Sequence, residues 1–182
     1  MQRHAREHPR PHRGRVARSV GQGRRHDLGT SVSAAAPRVT LQPVTPENEA
    51  AVRALRVRLG QGQFVADNER SLEEGAAEDH AWMRALCADD TPVGFVMMYI
   101  DADKGIYYVW RFMVAGEHQA RGYGRRAMEL LIEHVRGQPN GREMTLSHRP
   151  GDDGPEGFYK KLGFLHTGKE EDGELEMRLA LD

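Results

Sequence analysis

The sequence predicts one mixed α/β domain, and three observations predict it. Two long apolar stretches, Val93–Ile100 and Ile106–Val114, flank Asp101-Ala102-Asp103-Lys104-Gly105, the pattern of a hairpin. Met128, Leu131, Ile132 and Val135 recur at i, i+3, i+4 and i+7, the period of an amphipathic helix. Shorter strand-like and helix-like segments surround these, giving the order βααβββαβαββ from Val39 to the C-terminal end.

Each element has its own signal. Val39–Val44 alternates as a strand does. Thr45 before Pro46 reads as an N-cap and first helical position, with Ala51, Leu55 and Leu59 spaced by four as the apolar face. Residues 60–68 read as a loop. Ser71–Ala77 reads as a second helix, Ser71 and Glu74 having capping-box spacing. Ala81–Cys87 and the two hairpin segments are strands, and the Met128–Val135 helix follows. Met144–Ser147 is a short strand, Pro155–Leu162 a short helix stopped by Gly163, and Phe164–Thr167 and Leu175–Leu181 are the last strands. A domain of about 144 residues buries roughly two-thirds of its unfolded surface, enough for one core.

Residues 1–38 differ in kind. They hold nine Arg against Glu7 and Asp27, a balance of +7, so residues 39–182 carry −8 of the overall −1. This stretch has no aromatic residue and no hydrophobic period, and it reads as a disordered tail. A misassigned start and a basic arm for nucleic acid or membrane are the other readings. His4, His8 and His12 lack a helix to align them on a metal, and no metal site is expected. A folded part at −8 is a poor nucleic-acid binder and a better host for a cationic small molecule. No apolar run reaches the roughly 20 residues of a membrane span. A single cysteine, Cys87, fits a cytoplasmic setting and reads as a core residue. His118 and His148 read as loop histidines.

The chemistry-bearing stretch is Gln119-Ala120-Arg121-Gly122-Tyr123-Gly124, which follows a strand and opens a helix. First-turn amides have no intrahelical partner, and the helix dipole adds partial positive charge there. Glycines at 122 and 124 let a bulky diphosphate approach the backbone. Arg121, Arg125 and Arg126 add positive charge at the same end, which a bound anion would compensate. The third glycine of a dinucleotide loop and the Gly-Lys-Ser/Thr of a Walker loop are both missing. A second element lies downstream, Glu156-Gly157-Phe158-Tyr159-Lys160-Lys161-Leu162-Gly163-Phe164.

Together the two elements resemble the GCN5-related N-acetyltransferase (GNAT) family over Val39–Leu181. Within it the chain looks like the branch holding bacterial diamine and polyamine acetyltransferases, through Gln63-Phe64-Val65-Ala66, Asn68, Ser71-Leu72, Pro92–Met97 and Trp110–Val114. The resemblance implies the GNAT fold, a mostly antiparallel sheet splayed at the CoA site with flanking helices. It implies acetyl-CoA as co-substrate, its diphosphate on the amides of Gln119, Ala120, Arg121, Gly122, Tyr123 and Gly124 beside Arg125. The pantetheine arm would pair with Phe112, Met113 and Val114. It implies Tyr159 as the acid that protonates the departing thiolate. Where many members carry Asn, seven residues before that tyrosine, this chain has Asp152, which could instead cap the following helix.

The activity so implied is transfer of acetyl from acetyl-CoA to a primary amine, with a polyamine or diamine the expected acceptor. A protein N-terminus, a lysine or an aminoglycoside-like amine is the alternative, as is a CoA-binding regulator without turnover. Glu74 is the expected general base, with its capping-box role as the competing explanation. Gln63, Trp110 and Asp101 are the expected acceptor contacts. Glu73, Glu78, Asp79 and Asp103 are further acids for a cation, and Tyr99 is a second ring face beside Trp110. Family members are often homodimers, so a homodimer is an expectation too.

Overall fold

The structure, a computed structural model, describes residues 37–181. The expectations for the basic stretch and for His4, His8 and His12 fall on residues outside these. The eleven predicted elements are present in the predicted order. They are β1 (Val39–Pro43), α1 (Pro46–Ala54), α2 (Asn68–Ala76), β2 (Ala81–Ala88), β3 (Thr91–Asp101), β4 (Ile106–Val114), α3 (Tyr123–Arg136), β5 (Glu143–His148), α4 (Glu156–Lys160), β6 (Leu165–Glu171) and β7 (Glu174–Ala180). Short 3₁₀ turns at Gln61–Gln63 and Gly116–His118 add to them.

The strands form one seven-stranded sheet in the order β1-β2-β3-β4-β5-β7-β6. All neighbouring pairs are antiparallel except β4–β5, which is parallel. A parallel pair needs a crossover, and α3 supplies it. β3 lies in the interior of the sheet, and Val93–Met98 is buried without a break, the mark of a strand covered on both faces. On one face Met128, Leu131 and Val135 of α3 pack on Val96, Met98, Tyr107 and Val109. On the other, Val52 of α1 and Leu72 of α2 pack on Ala85, Phe95, Met97 and Met113.

Two local readings change. α1 ends at Ala54, its buried residue is Val52, and Leu59 is fully exposed, so the spacing of Ala51, Leu55 and Leu59 is not a buried face. The helix is too short to carry that stripe; Leu55 is already extended (φ −60°, ψ 138°). In α2 the cap is Asp67, whose carboxylate accepts from the Arg70 amide at 2.8 Å. Ser71 is buried one turn further on and donates to the Asp67 carbonyl at 2.7 Å, so no capping box joins it to Glu74.

A close approach fixes β3 to β4. A Cβ on Gly94 would lie 2.4 Å from the Met113 carbonyl oxygen and 2.9 Å from Leu86 Cδ2. Gly94→Ala should therefore destabilise the fold by about 1–3 kcal/mol in denaturant titration. Gly124→Ala is the control, because its Cβ would meet Val114 at an ordinary 3.5 Å and should change stability by less than about 0.5 kcal/mol.

Candidate active site

The site starts where the parallel pairing stops. β4 and β5 pair only at Tyr108↔Thr145 and Val109↔Leu146. Beyond Val109, the β4 edge that faces β5 has no strand partner. On its other side β4 stays paired with β3, but Trp110 is an extra residue between Met97↔Arg111 and Met98↔Val109. Such a bulge bends and twists the strand that carries it. The strands diverge into a groove of ≈ 950 Å³ walled by Trp110–Val114 and by Ser147 and His148.

At the end of β4, the chain turns into the N-terminus of α3. Ala120 (φ +63°) and Gly122 (φ +83°) are both left-handed. For Ala120 this is a conformation that L-residues with a Cβ rarely adopt. Gly122 is the N-cap and supplies no side-chain cap, and no acid stands in the first turn. The amides of Tyr123, Gly124 and Arg125 thus open onto the groove without helical partners. Gln119 braces the turn, donating from Nε2 to the Val114 carbonyl at 2.9 Å and to Gln61 Oε1 at 2.7 Å.

The floor is aromatic. α4 holds Tyr159 against Phe158 and Phe164, both edge-on, with ring centroids 5.3 and 5.8 Å away. Left-handed Gly163 (φ +95°) ends that turn, and the Phe164 amide bonds back to the Tyr159 carbonyl at 3.2 Å. Tyr159 is 7% exposed and lines the groove. Burial, then the nearby Tyr108, raises its phenol well above its ordinary value of 10. Five cationic side chains line the groove (Arg70, Arg111, Arg125, Arg149 and Lys161) against two acids, Asp153 and Glu174. An anionic ligand is the natural complement of that excess.

The sequence pattern of the Acetyltransferase (GNAT) family matches residues 50–164, more than half of the 182-residue chain. The chain belongs to the GNAT family. A spermine/spermidine N(1)-acetyltransferase of Bacillus subtilis (strain 168) is 26% identical over 138 residues, 72% of this chain and 90% of that protein. A spermidine N-acetyltransferase chimera from Vibrio cholerae and hSSAT shares the fold (TM-score 0.59, 16% identity, 79% of this chain and 95% of that one). So does Arabidopsis thaliana Naa50 in complex with a bisubstrate analogue, CoA-Ac-MVNAL (TM-score 0.57, 20% identity, 78% and 97%). The GNAT chain is therefore an acetyltransferase of a family that uses acetyl-CoA. Among the described residues no helix is long and apolar enough to cross a membrane.

The GNAT groove collects most of the residues expected from sequence. Gln63, Trp110, Phe112, Met113, Val114, Gln119, Ala120, Gly122, Tyr123, Gly124, Arg125 and Tyr159 all line it. Arg121 does not, and Arg126 turns away to pair with Glu129 at 3.2 Å and Glu133 at 3.5 Å. Asp101 lies at the opposite end of β4, beside Ile106, where Lys104 at 2.7 Å lowers its pKa. Tyr99 stacks on His80 rather than facing the groove. Glu73, Glu78, Asp79 and Asp103 also lie outside it. Asp152 neither lines the groove nor caps α4, which starts from Pro155 without a side-chain cap. Cys87 is buried, and burial raises its thiol pKa, as a core residue requires.

Several groove residues were not expected from sequence, among them Arg70, Arg149, Asp153, Lys161 and Glu174, and His118 and His148, read as loop histidines, line it too. His148 is not a loop residue. It ends β5 and is 3% exposed. Only the splay of β5 brings it to the groove, and no sequence period marks a strand's last residue.

Glu74 stands outside the groove with both oxygens engaged, Oε1 by Arg70 Nε at 2.7 Å and Oε2 by Arg111 Nη2 at 2.8 Å. It ties α2 to β4 just after the bulge. Glu74→Gln should cost about 1–3 kcal/mol of stability by unpairing the half-buried Arg111 guanidinium, while turnover changes less than about tenfold. A turnover loss above about a hundredfold at unchanged stability would instead give Glu74 the role of general base.

Proposed function

We propose that this GNAT chain transfers acetyl from acetyl-CoA to a primary amine of a small polyamine or diamine. The observation that carries the proposal is the continuity of the groove. The partnerless edge of β4, Trp110–Val114, lines one groove with the open amides of Tyr123–Arg125 and with Tyr159 of α4. In this reading the CoA diphosphate sits on those amides and beside Arg125, as anions do at helix N-termini. The pantetheine arm adds to β4 at Phe112, Met113 and Val114 in place of the missing strand. A β4 amide near Val114 polarises the thioester carbonyl. Holding the amine against that carbonyl supplies several kcal/mol more.

The amine must lose a proton first. An alkyl ammonium of pKa near 10.4 gives up about 4.6 kcal/mol to become neutral at pH 7. Glu74 is doubly paired with arginines and lies outside the groove, so in this reading the amine loses its proton to solvent. Nitrogen then attacks the carbonyl carbon, the C–S bond breaks, and the thiolate takes a proton from the Tyr159 hydroxyl. Burial makes the Tyr159 phenol a much weaker acid than an ordinary thiol, so this proton transfer is uphill.

Two observations support a polycationic acceptor: the chain's likeness to a spermine/spermidine acetyltransferase, and Asp153. Glu174 is taken by Arg149 at 3.4 Å, whereas Asp153 lines the groove and forms no ion pair among the described residues. Gln63 and Trp110 line the groove as well, with the Arg111 guanidinium 5.4 Å from the indole ring.

The test is thiol release from acetyl-CoA by the purified chain with spermine, spermidine, short diamines, aminoglycosides and amino-terminal peptides. Polyamine turnover well above the rest is the expected result, and turnover confined to peptides or aminoglycosides would overturn the acceptor assignment. Tyr159→Phe should lower kcat by roughly 10²–10⁴ with little change in acetyl-CoA affinity. The wild-type rate should rise with pH as the amine deprotonates and show no fall below about pH 10, because the phenol stays protonated there. Unchanged turnover in the phenylalanine variant would remove the acid role.

A further inference from the structure

A second cluster lies behind the groove wall, on residues that no comparison assigns. One ring nitrogen of His148, a Glu156 carboxylate oxygen and one ring nitrogen of His166 all lie within 4.8 Å of one another. They come from three elements: the end of β5, the first residue of α4 and β6. Glu156 Oε1 and His166 Nε2 are already in contact at 2.9 Å.

The decisive residue is His148. It is 3% exposed, and its Nε2 is buried without a hydrogen-bond partner among the described residues. Buried polar atoms in folded proteins nearly always have one. Nδ1 lies 3.2 Å from the Arg149 carbonyl oxygen, which can only accept, so the proton sits on Nδ1. Nε2 is then left with a free lone pair. A backbone carbonyl that fixes one nitrogen and so presents the other is how metal-binding histidines are oriented.

We propose that His148, Glu156 and His166 bind one divalent transition-metal ion of the zinc class. The donor set selects that class: two imidazoles and a carboxylate suit zinc and its neighbours, whereas calcium and magnesium prefer oxygen throughout. The place already attracts a cation, because Lys160 Nζ rests on the same Glu156 oxygen. The Lys160 side chain is 56% exposed and can swing into solvent when the metal enters. A fourth position is left open for water.

The ion would do mechanical work that the fold otherwise leaves undone. β6 is exposed along its whole length, and its pairing with β7 is interrupted between His166 and Glu170. A metal bridging β5, α4 and β6 would hold that edge strand and fix α4, where Tyr159 follows Glu156 by three residues. The inference stands on the cluster itself and does not depend on the acceptor amine.

The test uses the full chain, Zn²⁺ and a chromophoric chelator competing for it, on wild type, Glu156→Gln and His166→Gln. Both variants change partly exposed side chains outside the groove lining, so both should fold. The histidines at positions 4, 8, 12 and 26 are present in all three proteins, and the comparison subtracts whatever they bind. The expected result is one ion bound ~10-fold or more tightly in wild type than in either variant, with a Zn²⁺-dependent rise in Tm in wild type alone. Equal affinity in all three proteins, or no binding in any, would overturn the proposal.

Discussion

Everything at this site depends on a parallel strand pair that stops after two residues. Backbone amides and carbonyls inside a protein must find partners. The outer half of β4 has them on the β3 side and lacks them on the β5 side. A sheet with that opening is incomplete until an extended chain fills it. The same opening leaves the β4 backbone free to pair with an extended ligand.

The surrounding structure keeps the gap from closing. The bulge at Trp110 twists β4, and Arg111 is tethered to α2 through Glu74. Gln119 holds the turn that follows, and two left-handed residues, one of them alanine, aim the α3 amides at the groove. Strain of this kind, on the order of 1–3 kcal/mol per residue, is tolerated where the surrounding contacts enforce it. The β3–β4 register, fixed by Gly94 against the Met113 carbonyl, supplies the rigid side. Opposite it, β5 ends in His148, which lines the other side of the groove.

The order of elements was fully legible in the sequence because each strand and helix carries its own periodicity. Most of the turn Gln119–Arg125 lines the groove as its sequence suggests, because it is one contiguous stretch, though Arg121 does not. The misreadings share a cause. Leu59 kept a four-residue spacing beyond the point where the α1 backbone becomes extended. Ser71 had the right spacing to Glu74 but sits a turn inside a helix capped by Asp67. Asp101 is acidic and next to a strand that matters, but at its wrong end. Asp153, Glu174 and His148 meet only through the packing of β5, β7 and a loop. Contacts between residues distant in sequence leave no local pattern.

The central claim is that the free edge of β4 and the first turn of α3 together receive CoA. Hydrogen exchange of the chain with and without CoA tests this directly, because backbone amides report their own partners. The account predicts slowed exchange in two segments, Trp110–Val114 and Ala120–Arg125, with the rest of the sheet unchanged. Protection confined to other segments, such as the cavity at Trp82 and His134 between β2 and α3, would contradict it.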